Sequence, residues 1–215
     1  NLFAENPKIG LLGVRLLNED QSLQTSCFAY PTLWKNLVGA LDLYRFYSPE
    51  RNAEIFADEF FDHAHARKVD WVKGAFMLVK REAIQKAGAI PEDYFMFAED
   101  LDWCWQIARN GYEIWYYPAV SILHKENKSA GQLPSNWRIE RTTLSKYLFC
   151  FKNLGWLPTR IIQLSDFVGM SYKIIRVGKK LSKASDVKEW KIARWYVLKS
   201  IAMSRQRIQT ELQKP

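Results

Sequence analysis

Cysteine is scarce in this chain of 215 residues: Cys27, Cys104 and Cys150 are the only three, and none lies in a Cys-x-x-Cys spacing. That number and spacing point away from a disulfide framework and from a zinc site, and fit a reducing, cytoplasm-facing environment. Long apolar runs are missing too. The most apolar stretch, residues 157–180, is interrupted by Arg160, Gln163, Asp166 and Lys173, which is too broken for a membrane span. Neither a signal peptide nor an internal repeat is expected from the residues given. The opening residues Asn1-Leu2-Phe3 carry no methionine and run straight into structured-looking sequence, so the expectation is a chain that starts inside a longer protein.

What is present is globular in character. Hydrophobic residues make up 48% of the chain and aromatic residues 14%, enough for a sizeable core. The net charge of +8 hides an asymmetry. Residues 1–137 hold 14 Lys and Arg against 18 Asp and Glu, while residues 138–215 hold 17 against 5. A basic half of this kind suits nucleic acid, an anionic membrane surface, or solubility alone. Here Trp156, Tyr172, Trp190, Trp195 and Tyr196 stand beside Lys179, Lys180, Lys183, Lys188 and Lys191. That mixture matches a helix lying on anionic lipid, and an ordinary basic hairpin packed on its own domain is the plainer reading. Nucleic acid is not expected as a partner, because the basic residues are spread over helices with apolar faces and no nucleic-acid motif occurs.

Periodicity divides the chain. Ile9 to Leu17 reads as a buried strand followed by the turn formers Asn18-Glu19-Asp20. Pro31 to Tyr47 has helical spacing, with Leu33, Leu37, Leu41 and Tyr44 on one face, and 48–66 reads as loop. Val69 to Lys80 is rich in strand formers, Arg81 to Ala87 reads as a helix ended by Gly88, and a second helix runs from about Glu99 to Asn110 before Gly111. Glu113 to Tyr117 and Val120 to His124 read as two short strands. From Trp137 the pattern turns helical over 137–152, 157–180 and 184–212. The expectation is an α/β region over 1–136 and a basic helical tail over 137–215.

The sharpest local feature is Phe97-Ala98-Glu99-Asp100-Leu101-Asp102-Trp103-Cys104, three carboxylates within four residues where an aromatic loop enters a helix. Acidic residues in a first helical turn are favoured by the exposed N–H groups and the macrodipole alone. The same arrangement also suits a general base, a carboxylate fixed by first-turn N–H groups between aromatic walls. Spacing does not choose between them.

The ordered set Val72-x-Gly74-Ala75-x-Met77-x-x-x-Arg81, Gly88, Tyr94-Phe95-x-x-x-Glu99-Asp100-x-Asp102-Trp103-Cys104, Gly111-Tyr112 and His124 resembles glycosyltransferase family 2, notably its rhamnosyltransferase-like members. Upstream, Asn6-Pro7-x-Ile9-Gly10 and Leu16-Leu17-Asn18-x-Asp20-x-Ser22-Leu23-Gln24 resemble the segment that follows the family's Asp-x-Asp motif. Gln21 stands where relatives usually have glycine, and Lys125-Glu126-Asn127-Lys128-Ser129 follows His124 where relatives tend to have glycines.

The resemblance, which covers about residues 1–130, implies the C-terminal part of a GT-A domain acting in inverting sugar transfer. It implies Asp100 as the base that deprotonates the acceptor hydroxyl, with Glu99 and Asp102 orienting the loop or binding acceptor. Trp71 and Gly74 would border the sugar site, Trp103 would join the substrate side, and His124 would touch a metal or the diphosphate. The implied cofactor is a divalent metal, Mn²⁺ or Mg²⁺, a Lewis acid for the departing diphosphate. No Asp-x-Asp triplet occurs between Asn1 and Glu99, so its main ligands and the donor-binding half are expected upstream of residue 1. The implied partners are a nucleotide-sugar donor, with rhamnose from dTDP favoured, a lipid-linked or cell-surface polysaccharide acceptor, and the cytoplasmic face of a membrane. The competing reading is a non-catalytic membrane-surface protein that keeps a transferase-like fold.

Overall fold

The computed structural model of the protein describes residues 2–57, 60–125, 134–177 and 184–212. A one-turn helix α1 (Leu2–Glu5) leads into strand β1 (Ile9–Leu17), then β2 (Leu23–Gln24) and β3 (Cys27–Phe28). Helix α2 (Leu33–Ala40), a 3-10 turn (Leu43–Phe46) and helix α3 (Pro49–Phe56) follow. Short strands β4 (Arg67–Val69), β5 (Trp71–Val72) and β6 (Leu78–Val79) precede helices α4 (Arg81–Ala87) and α5 (Glu99–Arg109) and the long strand β7 (Glu113–Leu123). Helices α6 (Ser135–Asn153), α7 (Trp156–Val177), α8 (Ala184–Ile201) and α9 (Arg205–Leu212) complete the order. The expected α/β character and helical tail are both present.

The chain forms two compact units that interleave in sequence. One holds 1–30, 48–92 and 99–128; the other holds 31–47, 93–98 and 129–215. Neither coincides with a block 1–136 or 137–215, because segments 31–47 and 93–98 pack with the tail helices.

In the first unit a mixed sheet runs β2-β1-β7-β4, with β6 also paired to β1. β1 and β7 are parallel neighbours, and β2, β6 and β4 pair antiparallel. β1 is buried continuously from Ile9 to Val14, as a strand covered on both faces must be, which is why those six residues, before Arg15, are an unbroken apolar run. β7 is a single strand where two were expected. Its pairing with β1 skips from Tyr117 to Ser121, and this irregularity carries the strand past Pro118. The core gathers Leu11, Val69, Val72, Cys104, Ile107, Ile114 and Tyr116. Each large side chain buried here contributes about 1.5–3 kcal/mol. Gly13 is required by closeness: a Cβ there would lie 2.8 Å from the Val72 side chain.

Helix α3 was expected to be loop. Ser48 caps it, accepting from Arg51 N at 3.3 Å, and Pro49 begins it, a start signal that its weak apolar pattern obscures. Helix α4 ends as expected at Gly88, whose φ of 84° is the left-handed conformation that glycine supplies without strain.

In the second unit, Leu144, Tyr147, Leu148, Phe149, Ile162, Val197 and Met203 form a buried core among α6, α7, α8 and α9. α2 buries Val38 and not the face of Leu41, which is exposed. It joins α6 and α7 through a polar knot. Asp166 accepts from Lys146 Nζ at 2.8 Å, Tyr147 Oη at 2.8 Å and Asn36 Nδ2 at 2.9 Å, and Asn36 also accepts from Lys146 at 2.6 Å. The charges are paired and the acceptors filled, the condition under which such a cluster can be buried.

Candidate functional site

The site is built on the first turn of α5, whose inward face carries Cys104 and Ile107 into the sheet core. Two residues with left-handed backbones lead into that turn: Phe97 and Ala98 both have φ of 70°. For non-glycine residues this costs about 1–2 kcal/mol each. Such strain persists where the surroundings fix it and tends to gather at functional positions.

Asp100 and Gly74, singled out separately in the sequence, are brought together. Asp100 Oδ2 accepts from Gly74 N at 2.9 Å, and Oδ1 accepts from its neighbour Leu101 N at 2.8 Å. Each carboxylate oxygen has two lone pairs, so the two main-chain N–H groups fix the carboxylate without using up its capacity to take a proton. Gly74 is exposed at this edge. Burial pushes the Asp100 carboxyl above the usual range, against the two N–H bonds and the charge of Lys73, which pull it down. Lys73 occupies an unspecified position of the Val72-x-Gly74 pattern. Its charge, adjacent in sequence to Gly74, was the one available signal.

Glu99 lies beside it, half-buried, with its carboxyl raised by burial first and by the Asp100 charge as well. Its Oε2 is buried and has no hydrogen-bond partner. A buried oxygen of this kind is less costly on a neutral carboxyl than on a carboxylate. Asp102 is fully buried, and its Oδ1 accepts from Gln106 Nε2 at 3.2 Å. Of the two roles the resemblance implied for it, the supporting one fits a side chain with no solvent-facing surface.

The two tryptophans are held by main-chain carbonyls. Trp71 Nε1 donates to Ala29 O at 3.2 Å, and its ring stacks on Phe28 at 4.4 Å. Trp103 Nε1 donates to Gly88 O at 2.9 Å. Both pack against the sheet core while staying partly exposed. They act first as walls, and any contact with sugar would use what remains of their faces.

His124 directly follows β7 and is tied to the β1–β2 turn. Its Nδ1 lies 2.6 Å from Gln24 Oε1. An amide oxygen only accepts, so Nδ1 is the donor in this contact, and Nε2 is the nitrogen left for another partner. This is how a ligating histidine is oriented. Among the described residues, however, no three His, Cys, Asp or Glu side chains converge on a point that could hold a metal. These residues therefore do not form a metal site by themselves. The turn beside it contains Gln21 at φ 66°, so the residue standing in for the relatives' glycine adopts the glycine-like conformation. Residues 126–129, in the run after His124, lie outside the described residues, as do Lys179, Lys180 and Lys183.

The N-acetylglucosaminyl-diphospho-decaprenol L-rhamnosyltransferase of Mycobacterium tuberculosis, in strains CDC 1551 / Oshkosh and H37Rv, is 26% identical over 185 residues, 85% of this chain and 59% of that protein. Rhamnosyltransferase WbbL of Escherichia coli K12 is 31% identical over 77 residues, 34% of this chain and 29% of that protein. The chain thus spans about three-fifths of the length of the mycobacterial relatives it matches. No protein-family model matches it, and no solved structure matches it. Its curated relatives are rhamnosyltransferases, as the resemblance to rhamnosyltransferase-like members of glycosyltransferase family 2 implied, and the mixed α/β sheet is consistent with a partial GT-A-like domain.

Proposed function

We propose that this chain carries the acceptor side and the catalytic base of an inverting glycosyltransferase, which moves a sugar from a nucleotide-sugar donor to a hydroxyl of a lipid-linked or cell-surface polysaccharide acceptor. Rhamnose is the favoured sugar and dTDP the favoured carrier, from the names of the relatives and the resemblance. The observation that carries the reading is the Asp100 carboxylate, held by Gly74 N and Leu101 N at an exposed glycine edge.

The chemistry asks one thing of this chain. As the acceptor oxygen forms its bond to the anomeric carbon, the bond from that carbon to the diphosphate breaks on the opposite face, and the hydroxyl proton passes to Asp100. A base raised above the ordinary carboxylate range binds that proton better than a free aspartate would. Main-chain donors hold it still, so little reorganisation is needed as the proton moves. The divalent cation, Mn²⁺ or Mg²⁺, stays part of the proposal for the intact protein, with His124 Nε2 as the nitrogen this chain would offer. A peripheral position on the cytoplasmic face of a membrane completes the reading. Among the described residues no helix is long and apolar enough to cross a membrane.

The test is Asp100→Asn in the full-length protein, assayed for transfer with a nucleotide-sugar donor and a soluble acceptor analogue. General-base catalysis predicts a loss of about 10²–10⁴-fold with donor affinity kept. For the unmodified protein the rate should rise with pH through a carboxyl pKa above the usual range. Full activity in Asp100→Asn would overturn the assignment of the base. Absence of transfer in the unmodified full-length protein under all donors would favour the non-catalytic reading.

A further inference from the structure

Helix α7 is apolar on both sides. Its inner side sets Ile162 and Gly169 into the second unit, and Gly169 sits so close to α2 that a Cβ would meet Ala40 O at 2.5 Å. Its outer side carries Leu157, Ile161, Leu164, Val168, Tyr172 and Ile175, each 38 to 70% exposed. Their spacing is four, three, four, four and three, which places all six on one stripe. At 1.5 Å per residue the stripe is about 27 Å long. Single exposed apolar residues need no explanation, but a continuous row of this length on a soluble fold marks a contact surface.

We infer that this outer face of α7 lies in the surface of an anionic lipid bilayer, with the helix parallel to the membrane plane. The inference rests on the membrane partner in the function proposed above and says which residues meet the lipid. Three observations favour lipid over a second copy of the chain. The first is charge: residues 138–215 carry 17 Lys and Arg against 5 Asp and Glu, so two such regions repel where an anionic surface attracts. The second is the neighbouring helix. α8 packs antiparallel to α7, with Arg160 reaching Ile201 O at 2.6 Å and Met203 O at 2.8 Å, and Arg194 over the Phe167 ring. The exposed side of α8 presents Lys188, Lys191, Trp195 and Leu198, and Lys199 lies over the Trp195 ring. Cations interleaved with an aromatic residue suit the headgroup layer. The third is Trp156, exposed at the start of α7, where an amphipathic ring anchors a helix at an interface.

The experiment uses the full-length protein and sedimentation with vesicles of phosphatidylcholine containing phosphatidylglycerol, and of phosphatidylcholine alone. Binding to the anionic vesicles is expected, weakened but not abolished by salt. The triple variant Ile161→Ser, Leu164→Ser, Val168→Ser should bind them at least about tenfold more weakly. A spin label on Val168→Cys, which does not depend on that variant folding, should gain oxygen accessibility and lose access to a water-soluble relaxant on binding. Unchanged binding of a folded triple variant, a label that stays in water, or a dimer that the triple variant dissociates would each overturn the inference; the last would give the stripe to a second copy. Transfer to a water-soluble acceptor is read separately. Its absence in a protein that binds vesicles through α7 sinks the transferase reading alone, and transfer with unaltered binding of the variant sinks the lipid face alone.

Discussion

Asp100 and Glu99 are neighbours in sequence and both have carboxyl groups raised by burial, yet they differ in partners. Asp100 holds two main-chain N–H groups, while Glu99 keeps a buried oxygen with none. The consequence for Glu99 can be worked out in sign. A raised folded-state value means that the folded protein binds the proton more tightly than the unfolded chain does. Its contribution to stability is therefore fully present below the unfolded value and lost as pH rises through the folded one. Glu99→Gln cannot ionise. The difference in thermal midpoint between this variant and the parent should shift in the variant's favour as pH rises above the unfolded glutamate value of about 4.3. A difference that does not vary with pH would show that Glu99 is ionised without penalty. At this scale the sequence identified the acidic cluster and its order, but not its partners. Nothing in the letters said that Asp102 would be sealed inside, that Trp71 and Trp103 would have their nitrogens taken by Ala29 and Gly88, or that Gln24 would hold His124. Those depend on contacts between distant segments.

Elements were legible wherever the pattern came from local physics. β1 spans Ile9–Leu17 as its apolar run implies, and α4 spans Arg81–Ala87 because Gly88 stops it. α3 escaped notice although Ser48-Pro49 announces its start, because its eight residues bury only Asn52 and show no apolar stripe. The two strands expected around Pro118 are one, since an irregular register lets the proline sit in β7. Helix against helix, close approach is the controlling feature. Gly169→Ala must push α2 from α7, because the new methyl would meet the main chain of Ala40, which cannot rotate away. The expected loss is about 1–3 kcal/mol, with the overpacking outweighing the helix propensity gained. Urea denaturation checks it, and a variant as stable as the parent would show that the α2–α7 contact gives way freely.

For the whole molecule, the interleaving of the two units matters more than their separate contents. The sequence displayed the change at Trp137, from α/β alternation to basic helices, but not the return of 31–47 and 93–98 to the tail, which rests on pairings such as Asn36 with Asp166 and Lys152 with Asp93. A chain ended after Pro134 therefore lacks every partner of Asn36 in the polar knot and the apolar cover of Val38. Amide exchange over 33–40 should speed up to near the unstructured rate in that truncation, while protection of β1 persists. If 33–40 stays protected, α2 does not depend on the tail. The same arrangement also sets a timetable. Asn36 and Asp166 are 130 residues apart, and at the pace of synthesis of about 5–20 residues per second that gap is roughly 7–26 s. During that wait the sheet strands up to β7 emerge and can pair, while α2 is already made and has nothing to pack on. The second unit thus forms after the sheet of the first, and α2 stays without its packing partners throughout that interval.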